Sequence, residues 1–114
     1  MNANDIFRLL DKEAEELYQY IQSGAIPESD SELYRYFEYG QFDPIAWIND
    51  NCLEADSHNL LLATGGPAYG VSLVHGSPCY WFQDWFQVKT LRQANDGYAF
   101  YLYIFENLKE LEEV

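Results

Sequence analysis

Apolar positions along the chain change period between its first half and its middle. Ile6, Leu10, Leu17 and Ile21, flanked by Phe7, Ala14 and Tyr18, recur at helical spacing, leaving Asp11, Lys12, Glu15, Glu16 and Gln19 for the opposite face. This predicts an amphipathic helix over Asn4–Ile21, capped by Asn4 or Asp5 and stopped at Ser23 and Gly24. Ser29 with Glu32 three residues on suggests a capping box for a short helix ending near Gly40, with Leu33, Tyr36 or Phe37 inward. Asp43 followed by Pro44 is a stronger start signal for a third helix, because Asp accepts first-turn amides and Pro needs no partner at the first helical position. Ile45, Ile48 and Cys52 would share its inner face.

From Leu60 the period becomes two. Leu60–Ala63 is a short apolar run stopped by Gly65, Gly66 and Pro67, and Tyr69–His75 alternates. Gly76, Ser77 and Pro78 then supply a turn before the aromatic run Cys79–Phe86. Three strands in meander order follow. Val88–Asn95 reads as leaving the sheet. Tyr98 onward fits either a strand or a helix; the unbroken helix-forming run NLKELEE decides for a helix, with Asp96 as cap. The expected fold is α+β: three N-terminal helices, a three-stranded antiparallel sheet and a C-terminal helix, in a single domain over 1–114.

Hydrophobic residues make up 48% of the 114 residues and aromatics 18%, which favours a packed core over disorder. No run of eighteen apolar residues and no basic start leading into an apolar segment is present, so neither a membrane span nor a signal peptide is expected, and the site of action is expected to be the cytoplasm. Cys52 and Cys79, the only cysteines, read as inert thiols rather than a disulfide.

Charge sharpens the picture. Nineteen acids against six bases leave a net charge of −13, and residues 1–56 carry 13 of the acids with 3 of the bases. This disfavours nucleic acid and anionic membranes as partners and favours a basic protein surface, although acidity also serves solubility. Between Glu28 and Asp56, eight acids (Glu28, Asp30, Glu32, Glu38, Asp43, Asp50, Glu54, Asp56) face one base, Arg35, with tyrosines including Tyr34 and Tyr39 interleaved. Carboxylates one helical turn apart lie about 6 Å apart along the axis. That spacing is on the scale of a nucleic-acid backbone, and tyrosines add contact area at little entropic cost. These ten residues are the candidate partner-binding surface.

Catalytic and metal constellations are weak. The Gly65-Gly66-Pro67 segment lacks a following Lys and matches no phosphate-loop spacing, which leaves a tight turn. His75 and Cys79, with Asp84 as orienting acid, suggest a thiol–imidazole pair, but a nucleophilic cysteine needs an electropositive setting and this chain is acidic. His58 beside Glu54 and Asp56 lacks a compact ligand cluster, so no metal or cofactor is expected. Around Gln83 and Asp84, the aromatics Trp81, Phe82, Trp85 and Phe86 cannot all be buried on one strand face. Asp84 reads as a turn residue or an indole acceptor.

The string LLLATGGPAYG, followed after a hairpin by FQDWF, resembles a group of small phage and plasmid proteins with a leucine-rich strand, a TGGP turn and a QDW strand before an aromatic helix. The similarity spans roughly residues 60–105; Tyr69, Gly70 and a shortened hairpin depart from the pattern. It implies a mobile-element origin, and small acidic proteins from that setting look like inhibitors of host defence, of the anti-CRISPR or anti-restriction kind, acting in a bacterial host cell. The resemblance thus implies a non-enzymatic inhibitor that occupies the basic nucleic-acid site of an effector and blocks DNA recognition. An immunity protein or antitoxin occluding a basic nuclease toxin is the alternative expectation.

Overall fold

The computed structural model describes residues 2–85 and 88–112. Helix α1 (Ala3–Ser23) starts earlier than expected: Asn2, not Asn4 or Asp5, is the cap. Its Oδ1 accepts the Asp5 amide at 3.0 Å while Asp5 Oδ2 accepts the Asn2 amide at 3.3 Å, a reciprocal capping box. Gly24, at φ 73°, closes the helix in the left-handed conformation.

The second expected helix is only a five-residue 3-10 turn (Glu32–Tyr36), capped by Ser31 rather than Ser29. The chain then folds back as a two-stranded hairpin, β1 (Phe37–Glu38) and β2 (Gln41–Phe42). Tyr39 and Gly40 at its tip have φ of 53° and 77°, the handedness that a two-residue hairpin turn requires. Helix α2 (Pro44–Asn51) begins as read, with Asp43 Oδ1 accepting the amides of Ile45 and Ala46. Trp47 and Ile48 are its buried residues, whereas Ile45 is exposed and Cys52 half-buried at the C-cap.

The three-stranded sheet is corrected to five antiparallel strands in sequential order: β3 (Glu54–Ala55), β4 (Asn59–Ala63), β5 (Ala68–Val74), β6 (Ser77–Gln83) and β7 (Thr90–Gln93). The expected third strand reached Phe86, which lies outside the described residues; β6 ends at Gln83, and Asp84 Oδ1 accepts the Trp85 amide in the following turn. The segment expected to leave the sheet instead pairs along β6, from Cys79 opposite Gln93 to Phe82 opposite Thr90. Helix α3 (Tyr98–Glu112) closes the chain.

The pairings align Leu60, Val71, Tyr80 and Arg92 across one face, and the first three are fully buried. Helices α1 and α3 pack on this face: Phe7 stacks on Tyr80 with centroids 5.6 Å apart, and Tyr101 meets Tyr80 edge-on at 5.6 Å. α2 adds Trp47, edge-on to Phe100 at 5.1 Å. The opposite face carries Trp81, whose indole crosses Gly70, donates to Asn59 Oδ1 at 3.1 Å and lies under the Lys89 ammonium. Among the described residues no helix is long and apolar enough to cross a membrane.

One polar cluster penetrates the core. Buried Asp11 on α1 accepts hydrogen bonds from the Tyr80 hydroxyl, the Arg92 guanidinium and the Gly97 amide, tying α1 to β6, β7 and the start of α3. The Arg92 guanidinium lies beside the stacked Phe7 and Tyr80 rings, 5.5 and 5.6 Å from their centroids. Burial, the neighbouring Tyr101 and the acceptor Asp11 all push the Tyr80 hydroxyl far above its ordinary pKa, so it stays a donor.

Candidate partner-binding surface

The ten candidate residues are carried by the 3-10 turn and the segment before it, the β1–β2 hairpin, α2 with its cap, and β3 with the turn after it. Glu28 and Asp30 are exposed before the turn, Glu32 and Tyr34 are exposed on it, and Glu38 and Tyr39 are exposed at the hairpin. Glu54 and Asp56 are exposed at and beyond the outer strand β3.

Three of the eight carboxylates already have local duties. Asp43 caps α2. Asp56 Oδ1 accepts the amides of His58 and Asn59, both at 2.8 Å, and so turns the chain from β3 into β4. Asp50 Oδ2 accepts from Arg35 at 2.8 Å and from the Tyr36 hydroxyl at 2.6 Å, and these two bonds lower its pKa. Glu28, Asp30, Glu32, Glu38 and Glu54 have neither an ion pair nor a side-chain hydrogen bond among the described residues. Arg35, the one base of the stretch, is spent on Asp50, so the charge of the other five is uncompensated.

Tyr39 is the most exposed large hydrophobic side chain described, at 96%, and its φ of 53° is one that L residues avoid. A β-hairpin tip is where glycine or asparagine relieves that strain, by about 1–2 kcal/mol per residue. An aromatic ring held there, between Glu38 and Gly40, gains no packing in return.

The sequence reading left out the contribution of α1. Glu13 has its pKa raised, first by partial burial and then by the charges of Glu16 and Glu32, which places the outward acids of α1 beside those of the 3-10 turn. Glu13 also lines a cavity of about 270 Å³ between α1, α2, the sheet and α3. Its helical position was legible, but its neighbourhood with Glu32 depends on the path of the chain between them.

The thiol–imidazole pair that His75 and Cys79 suggest in sequence is not assembled. His75 is exposed at the β5–β6 turn, while Cys79 lies within the sheet opposite Ser72 with its thiol toward the Tyr80 carbonyl at 3.6 Å. Asp84 is engaged by the Trp85 amide rather than by an imidazole or indole. His58 Nδ1 contacts Ser57 Oγ at 2.9 Å. Both cysteines are free thiols, and burial pushes Cys52 up to about 12, which suppresses the reactive thiolate near neutrality. No protein family, curated protein or solved structure matches the chain.

Proposed function

We propose that this protein is a non-enzymatic binding protein that uses the edge from Glu28 to Asp56, extended by Glu13 and Glu16 of α1, to occupy a basic surface of a partner protein. The observation that carries this reading is the set of five exposed carboxylates without an ion pair among the described residues, with an exposed tyrosine in a strained turn next to Glu38. Solubility alone explains neither the strain at Tyr39 nor the grouping of Glu13, Glu16 and Glu32, because like charges brought together destabilise the fold that holds them. A surface lined with Lys and Arg relieves that repulsion, and the surfaces richest in them are those that grip nucleic acid. Binding there excludes the nucleic acid and inhibits its reader; with the resemblance to mobile-element proteins, a host defence effector of the CRISPR or restriction kind is the proposed partner class.

The test is affinity capture from a bacterial lysate carrying such systems, with the chain as bait at low and moderate salt and duplex DNA as competitor. A nucleic-acid-binding complex retained by the native chain, released by DNA and lost from the quadruple variant Glu28→Lys, Asp30→Lys, Glu32→Lys, Glu38→Lys supports the proposal. Equal retention by the native and charge-reversed chains sinks it. Recovery of only a nuclease toxin, competed in the same way, keeps the surface and replaces the effector with a toxin.

A further inference from the structure

Resting on the docking reading above, we propose that the cavity Glu13 helps to line receives one arginine side chain of the partner, the guanidinium meeting Glu13 and the stem lying against the apolar part of its walls. The walls come from Leu9 and Leu17 of α1, Trp47 of α2, Leu62 of β4, and Tyr69 and Phe100 from β5 and α3. At about 270 Å³ the space falls below the roughly 300–1,000 Å³ of small-molecule sites and suits a single long side chain.

Charge complementarity names the occupant. The cavity's lining mixes apolar side chains with the polar groups of Asn51, Tyr69 and Tyr101 and includes two carboxylates, Glu13 and Asp50, a set that matches a side chain with an aliphatic stem and a cationic head carrying several donors. Asp50 is already paired with Arg35, whereas Glu13 has no ion pair among the described residues and feels the charges of Glu16 and Glu32. Its pKa is raised by partial desolvation first and then by repulsion from Glu16 and Glu32. Aromatic walls favour arginine over lysine, because a guanidinium stacks on rings and gives up its water more readily than an ammonium. Seating such an anchor in a well-packed pocket is how a few residues come to dominate an interface.

The test uses the full ¹⁵N-labelled chain in low salt, titrated with the peptide Ac-Gly-Arg-Gly-NH2, its lysine analogue and its neutral citrulline isostere. The arginine peptide is expected to shift the amides of Leu9 to Leu17, the Trp47 indole, Leu62 and Tyr69, with binding about tenfold weaker for citrulline and for Glu13→Gln, as loss of one charge-assisted hydrogen bond implies. No shift, equal binding of citrulline, or an unaffected Glu13→Gln variant overturns the proposal; equal binding of the lysine peptide overturns its choice of arginine. Hexa-arginine, titrated in parallel, separates the two readings. If it shifts the acids of Glu28 to Asp56 but not the cavity, the pocket fails and the docking edge stands; if it shifts neither, both fail.

Discussion

Asp11 is the residue through which α1, β6, β7 and the start of α3 meet. It sits 81 residues from Arg92 and 86 from Gly97 in the chain, so its three hydrogen bonds close long-range contacts that the apolar core alone does not orient. Replacing it with Ala leaves the Arg92 cation without its carboxylate and the Tyr80 hydroxyl and Gly97 amide without their acceptor, and is expected to cost about 3 kcal/mol. Arg92→Ala should cost less, because Asp11 keeps two of its donors and the Arg92 side chain is 37% exposed. Urea denaturation of the two variants checks the order. Glu13 makes the opposite case. Its folded-state pKa is raised, so the fold favours its protonated form. Its ionisation therefore costs nothing in acid and costs progressively more as pH rises through the raised value. Glu13→Gln should accordingly stabilise the chain at neutral pH by roughly 0.2–0.5 kcal/mol, the size of a like-charge helical pair, with the gain vanishing below pH ~4. A loss of binding in the same variant would mark a charge kept for the partner at the expense of the fold.

The hairpin β1–β2 is where local preference and structure disagree most, and its tip offers a direct measurement. Tyr39→Gly removes the penalty of a positive φ and should raise stability by about 1 kcal/mol, read as a higher denaturation midpoint, while weakening partner capture. A drop in stability would instead show the ring to be packing somewhere in the fold. The same element explains why the second helix was misread. LYRYFEYG holds helix-compatible spacing, and only the handedness of Tyr39 and Gly40, which Tyr does not signal as Asn or Asp would, converts its second half into strands. Strand β7 was hidden for a different reason. In an ordinary edge strand the apolar residues face inward, but here Leu91 points outward at 60% exposure and Arg92 points in to meet Asp11, so the hydrophobic alternation is inverted. By contrast the Asp43–Pro44 start of α2 was legible, because cap and first-turn chemistry coincide in adjacent residues. The acidic edge was legible as composition. Which of its carboxylates are committed to capping, turning or pairing was not, since Asp50 finds Arg35 and Tyr36 only after the chain folds back.

At the scale of the whole molecule the charges act together or separately according to the ionic strength. The molecule measures 45 × 34 × 23 Å, comparable with the screening length of about 30 Å at 0.01 M salt and far larger than the ~8 Å at 0.15 M. In dilute buffer every carboxylate therefore repels every other, and with a net −13 this works against the compact state. Added salt should raise the thermal midpoint by a few degrees, equivalent to roughly 0.5–1 kcal/mol for a chain of this length. The same salt should weaken association with a basic partner, because it screens the attraction that steers and holds the acidic edge. The two trends have opposite signs and a common cause, which makes them diagnostic when measured together. Stability rising while affinity falls assigns both to the acidic field. Affinity that holds constant as the midpoint climbs would mean that the contact is carried by Tyr39 and the cavity rather than by charge, and that the acidity serves only the approach.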